Sequence, residues 1–208
     1  MTAEYGRFDS AQVEAFVSGP LSDTLSARVA FLGARGDAWQ KSYTRDDSMG
    51  RTRRAATRFQ LQWAPNDRLT VLLNANGWID RGQLQAAQFR APNPQNIAFA
   101  FPELLSYLIA PRNNRAADWS PTPGRPNSVL AGRDYNNDNN YAQGIARIDF
   151  EATSDVTLTA LTDYSHLDLD QVYDIDGTTL FTNQLRAEGR FRRSAKSSGR
   201  PQGWTAWT

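Results

Sequence analysis

The sequence predicts an all-β chain: an antiparallel up-and-down meander of about six long strands, part of a transmembrane β-barrel with long extracellular loops. Three observations carry this. First, the stretch Pro65 to Asp80 places Leu69, Val71, Leu73, Ala75, Gly77 and Ile79 at every second position, with Arg68, Thr70, Asn74, Asn76 and Asp80 between them. Period two marks a strand whose two faces meet different media. About a dozen such residues exceed the ordinary strand of about 5–6 and suit a tilted bilayer crossing. Second, short turns ending in Asp23, Asp67 and Asp155 alternate with long polar loops. Short turns at one end and long loops at the other suit a spanning barrel, whereas a soluble sandwich mixes loop lengths at both ends. Third, mean hydropathy is −0.59, and no run approaches the roughly 18 apolar residues of a membrane helix. A barrel escapes that test because its strands alternate polar and apolar side chains.

Taken in order, the first strand spans 11–24, with Val13, Ala15 and Val17 on one face, and Gly19-Pro20-Leu21-Ser22-Asp23 turns the chain. The second, 24–35, sets Leu25, Ala27, Val29 and Phe31 against Ser26 and Arg28. A polar loop from Gly36 to Arg54 carries Trp39, Tyr43 and the pair Asp46-Asp47. Strand 53–64 sets Phe59, Leu61 and Trp63 against Arg58, Gln60 and Gln62, and strand 68–80 follows the turn Pro65-Asn66-Asp67. The stretch Arg81 to Asn140 holds Pro92, Pro94, Pro102, Pro111, Pro121, Pro123 and Pro126, a density that forbids central strands. A short helix is predicted over Glu103 to Ile109, with Pro102 at its first position. Alternation resumes in strands 141–152 and 156–166, and a last loop from Leu167 to Thr179 carries Asp168, Asp170, Asp174 and Asp176.

Composition narrows the function classes. Net charge +1 offers no electrostatic case for nucleic acid, and the absence of cysteine removes disulfides, thiol catalysis and thiolate metal sites. Met1 is followed by T-A-E-Y-G-R-F-D, which has neither the basic segment nor the apolar core of a signal peptide. For an envelope protein, that leads us to expect a fragment or an internal start.

Five strings in order add a resemblance: V-S-G-P-L-S-D-T-L-S-A-R (17–28), W-Q-K-S-Y-T-R-D-D (39–47), L-N-A-N-G-W-I-D (73–80), A-P-R-N-N-R-A-A-D-W (110–119) and D-I-D-G-T (174–178). From Glu4 to Arg190 the chain resembles the early barrel of TonB-dependent outer-membrane receptors, in the branch of nutrient-uptake receptors of sphingomonad-like bacteria. Such receptors are barrels of roughly 22 strands whose lumen is filled by an N-terminal plug. The resemblance implies energy-coupled uptake of a nutrient, a siderophore or an oligosaccharide, with no covalent chemistry, no enzyme activity and no cofactor. It implies outer-membrane lipid and a small nutrient ligand as partners of the intact parent, TonB only through the plug, and no nucleic acid. This chain lacks the plug and most of the barrel, so transport by it alone is not expected. The alternative is a soluble all-β carbohydrate-binding module with an aromatic loop platform. The outward face separates the two, because Leu69, Val71, Leu73 and Ile79 would meet lipid in a barrel and a second sheet in a sandwich.

Candidate chemistry is sparse. His166, the one histidine, lies near Asp163, Asp168 and Asp170, but no second histidine or cysteine exists to complete a metal site, and a polar strand-to-loop junction explains it. Asp168, Asp170, Asp174 and Asp176 with Gly177 lack EF-hand spacing and read as a solvated loop rather than a calcium site. Neither these nor Asp46 and Asp47 are fixed across a cleft as paired catalytic carboxylates must be. The candidate ligand-binding residues are the loop aromatics Trp39, Tyr43, Trp119 and Tyr135. Trp78 ends a strand and is assigned to an interfacial aromatic girdle. Arg28, Arg58, Arg147, Asp149 and Glu151 are assigned to the polar lumen, and Arg51-Thr52-Arg53-Arg54 to a solvated loop in preference to lipopolysaccharide phosphates.

The domain assignment is barrel over 1–190 and a disordered tail over 191–208. From Arg192 the composition shifts abruptly to Ser, Arg, Gly and Trp. With one choice of codons, the shifted frame starting within Arg193 reads Phe-Ser-Gln-Glu-Phe-Arg, similar to the F-S-Q-E-L-R strand of the resembled family. A frameshift near Arg192 is therefore the expectation, against an ordinary flexible terminus.

Overall fold

A computed structural model describes residues 1–89 and 115–199. The strands are β1 (Thr2–Gly6), β2 (Ser10–Ser22), β3 (Leu25–Gly36), β4 (Gln40–Ser42), β5 (Ser48–Met49), β6 (Thr52–Asn66), β7 (Leu69–Asp80), β8 (Ala116–Ala117), β9 (Asn139–Thr153), β10 (Val156–Asp174) and β11 (Gln184–Gly199). Eight of them form one antiparallel sheet in the order β1-β2-β3-β6-β7-β9-β10-β11. The short β4, β5 and β8 make a separate three-stranded sheet in the order β5-β4-β8. The predicted helix over Glu103 to Ile109 lies outside the described residues.

All six predicted strands form, and each pairs with its sequence neighbour in the sheet. Three differences have physical causes. β1 adds a strand on β2, entered through a tight reversal at Phe8 and Asp9, whose φ angles are +63° and +47°. β10 runs on to Asp174, so Asp168 and Asp170 belong to a strand and not to the expected loop. There they pair in register with Arg190 and Glu188. β11 continues through 192–199, a stretch expected to be irregular, and its backbone pairs with β10 as far as Thr159↔Gly199. A long β10 offers an unpaired row of N–H and C=O groups, and backbone pairing tolerates side chains that break the alternation. The remaining tail, 200–208, lies outside the described residues.

Register decides which side chains share a face. Val29↔Phe59, Phe59↔Ala75 and Ala75↔Gly144 are directly opposed, as are Leu61↔Leu73 and Val71↔Ile148. Every second residue therefore builds one apolar face: Val29, Phe31, Phe59, Trp63, Leu73, Ile79, Ile148, Phe150 and Leu158, all exposed. The opposite face carries Arg28, Gln60 and Asn74 at one level and Arg58, Asn76 and Gln143 at another. One cleft of about 710 Å³ draws Phe16, Arg28, Arg58, Asn76 and Gln143 from β2, β3, β6, β7 and β9. A single cleft shared by five adjacent strands fits a sheet curved toward its polar face. The apolar face is thus convex, the reverse of a soluble barrel.

Trp78 lies on the polar face, opposite Ala56 and Tyr141, and its ring stacks on Tyr141 with centroids 6.0 Å apart. This corrects the girdle assignment: Ile79, not Trp78, is in phase with the apolar residues. Arg28, Arg58 and Arg147 point to the concave side as expected, where Arg58 Nε donates to Asn76, Asn76 Nδ2 to Gln143 and Gln143 Nε2 to Asp163. The short turns between β2 and β3, β6 and β7, and β9 and β10 lie at one end, and the connections 37–51 and 175–183, with the described residues 81–89 and 115–138, at the other. The reversal between β1 and β2 is the one short connection at the long-loop end.

Amide hydrogen exchange on the refolded chain tests this order. Protection should be greatest in β6 and β7, which are paired along both edges, and least in β1, held by five residue pairs on one side. Equal protection in β1 and β7 would contradict the edge assignment.

Candidate functional site in the loop crown

Apart from Val172 near the end of β10, the buried apolar side chains among the described residues lie off the eight-stranded sheet. Met49, Ala86, Ala117, Trp119, Leu130, Tyr135 and Val172 cluster at the long-loop end. Their backbone is fixed by the small sheet, where β4 pairs antiparallel with β5 and parallel with β8, through Lys41↔Ala116 and Ser42↔Ala117. The string 39–47 thus meets residues 115–119, the described part of the string 110–119, across the crown.

Asp118 is fully buried beside this bridge. It accepts hydrogen bonds from Ser42 Oγ at 3.0 Å, Thr44 Oγ1 at 2.6 Å, Arg45 Nη1 at 3.2 Å and the Trp119 backbone N–H at 3.0 Å. Arg45 also donates to the Trp119 carbonyl at 2.7 Å, and its guanidinium lies over the indole at 5.4 Å. The indole Nε1 donates to Asp47 at 3.0 Å. Asp118 and Trp119 therefore act as a clasp between the first and second long loops.

A second clasp forms on Asp174, the last residue of β10. Its carboxylate accepts from the Ser120 N–H at 3.1 Å, Gln184 Nε2 at 3.0 Å, and the Asp176 and Gly177 N–H groups at 3.1 and 3.3 Å. Tyr135 OH lies 3.4 Å away and also meets Ser120 Oγ. Burial pushes the Asp174 carboxyl above the usual carboxylate range, against the pull of Gln184 and the Ser120 N–H. Burial likewise raises the Tyr135 phenol, so it stays protonated at neutral pH. Asp176 shapes the last loop by accepting from Thr178, Thr182 and the Asn183 N–H.

Of the four predicted aromatics, Trp119 and Tyr135 are interior residues, 2% and 8% exposed. They hold the crown and offer no stacking surface to a ligand. Trp39 and Tyr43 are half-buried. Trp39 packs against Gly50, where an added Cβ would come within 2.7 Å of its indole nitrogen and φ is +90°. It lines a cleft of about 470 Å³ below the crown with Thr52, Arg54, Gln85, Tyr173 and Ile175. This is the candidate ligand site: an aromatic pair, an amide and a guanidinium facing the concave side. Tyr173 is the residue that sequence reasoning missed. Its place in the alternation that continues past His166 was the available signal.

The acidic residues expected in the last loop are consumed structurally. Asp170 takes a bidentate contact from Arg186, with both distances 2.7 Å, and Arg133 lies at 3.3 Å. His166 Nε2 lies 2.8 Å from Asp168, which also meets Arg190 at 2.6 Å. Among the described residues no three His, Asp or Glu side chains gather as a metal site. The crown can hold and present a surface; its buried carboxylates are already saturated with donors. No family model matches the chain, and no curated protein matches it.

Two outcomes follow. Asp118→Ala leaves Arg45 without its buried partner and removes the acceptor of Ser42 and Thr44, which should destabilise the crown by about 3–5 kcal/mol. Limited proteolysis should then cut within 37–51, while the sheet amides keep their protection. For Asp174, a folded-state pKa above the unfolded one means that the folded crown binds its proton more tightly. Its contribution to crown stability is therefore greatest at low pH and declines as pH rises from the usual carboxylate range to the raised value. Asp174→Asn should flatten that dependence in exchange protection at Trp119 and Ser120, after correction for intrinsic rates.

Proposed function

We propose that this chain is part of the barrel of a TonB-dependent outer-membrane receptor, whose intact parent takes up a small nutrient, a siderophore or an oligosaccharide. The observation that carries the reading is the exposed apolar face of Val29, Phe31, Phe59, Leu73, Ile79, Ile148 and Phe150, set against a cleft lined by Arg28, Arg58, Asn76 and Gln143 on the other side. A soluble sheet buries its apolar face, and a convex apolar face of strands 12–15 residues long suits hydrocarbon. Accessible surface adds support. The chain exposes 14607 Å², against about 9,700 Å² for a compact monomer of its mass. In the alternative, a soluble carbohydrate-binding sandwich, a second sheet would cover the convex face at about 10 Å. None of the described residues does so.

On this reading the crown stands on the extracellular side, and the Trp39–Tyr173 cleft beneath it is where a ligand would dock before passage through the lumen. β11 is out of phase with such a membrane along its length. Arg190, Arg192, Ser194, Lys196 and Ser198 oppose Asp168, His166, Tyr164, Thr162 and Ala160, and so fall on the apolar side. Each cation there would cost about 2–4 kcal/mol at mid-bilayer depth.

The absence of cysteine makes a direct test simple. Single cysteines at Phe59, Leu73 and Ile148 carry nitroxide labels into phospholipid vesicles, beside a second set at Gln60, Asn74 and Arg147. The first set should collide with oxygen dissolved in the lipid, and the second with a water-soluble nickel chelate. A chain that stays soluble and monodisperse, with the first set shielded from both reagents, would refute the reading.

A further inference from the structure

Near the long-loop end of the convex face, two arginines stand directly opposite each other. Arg35 on β3 and Arg53 on β6 are register partners, in phase with Phe31, Val29 and Phe59. Both are exposed. Like charges directly opposed across a strand pair repel, so such a pair needs a counter-charge. Among the described residues neither makes an ion pair. The nearby acids among the described residues do not pair with them. Asp9 accepts from Tyr5 OH, Asp37 makes no ion pair with Arg35, and Asp138 is held by Arg81. Arg54, one residue on, points to the concave side and meets Asp80 at 3.4 Å. The Arg81 N–H donates to the Arg53 carbonyl, so a third arginine continues the row, already neutralised by Asp138.

We infer that Arg35 and Arg53 form a binding site for the phosphate of an anionic lipid headgroup. The inference rests on the membrane reading above. The apolar face ends two residues below the pair, so both guanidiniums sit at the level where hydrocarbon gives way to headgroups. Two forked guanidiniums can share the oxygens of one phosphate through charge-assisted hydrogen bonds, and that anion removes their repulsion. A lipid phosphate is the source at that depth, and the acyl chains would lie along Val29, Phe31 and Phe59.

The test uses the whole chain in phosphatidylcholine vesicles containing spin-labelled phosphatidic acid or spin-labelled phosphatidylcholine, with a second label on Leu73→Cys. Oxygen access at position 73 shows whether the convex face meets lipid. The unsubstituted pair should hold phosphatidic acid over phosphatidylcholine by roughly five-fold, the equivalent of about 1 kcal/mol for a basic side chain near the surface. Arg35→Gln/Arg53→Gln should lose the preference while oxygen access at 73 is unchanged. Arg28→Gln/Arg58→Gln, with the same change of charge on the concave side, should keep it. Equal retention of the two lipids, or a preference that survives Arg35→Gln/Arg53→Gln, overturns the site and leaves the membrane reading standing. Loss of the preference in 10 mM inorganic phosphate would make the site one for free phosphate and overturn the lipid assignment. A label at 73 shielded from oxygen overturns both.

Discussion

Continuous antiparallel register is the constraint on which everything else depends. From β3 to β10 each strand pairs in step with its neighbour, and the few register shifts sit beside the short turns. A slip of one residue would move every side chain to the other face. Because the register holds, the alternation within each strand becomes one apolar face and one polar face across the sheet. The sheet then needs no core of its own, and the buried apolar side chains gather in the crown instead.

The two ends of the molecule are held differently. At the short-turn end, tight hairpins fix neighbouring strands with few side-chain contacts. At the other end, the loops are knitted by buried carboxylates, Asp118 for the first pair of loops and Asp174 for the last. Each of these buried acids is surrounded by donors, which is the condition under which burying an acid is tolerated. The same arrangement takes Trp119 and Tyr135 out of reach of any ligand and leaves Trp39 and Tyr173 beside the cleft.

Strands were legible in the sequence because period two is a local signal. The run Leu69 to Ile79 shows it without any knowledge of its neighbours. The crown was not legible, because its contacts are long-range and polar: nothing near Ser42 or Arg45 announces that Asp118 will complete them. Trp119 and Tyr135 resembled ligand aromatics for that reason, since a loop aromatic looks the same in sequence whether its ring is exposed or buried. Trp78 was misassigned although its phase was readable, because its place at a strand end outweighed its parity with Asn76 and Asn74. β11 was not among the six strands read from the sequence, and its part beyond Arg192 was read as irregular because the composition shifts there, while the backbone pairs on regardless.

The parallel bridge between β4 and β8 has a kinetic meaning. Lys41 and Ala116 are far apart along the chain, and closing so long a loop before the sheet exists would carry a large entropic cost. Hairpin pairing of β6 with β7 and of β9 with β10 is local and fast by comparison. With β3 and β9 already in one sheet, much of that closure cost is met by the hairpins. Crown closure is therefore expected late in assembly, so that the mouth above the concave face takes shape over a wall already built.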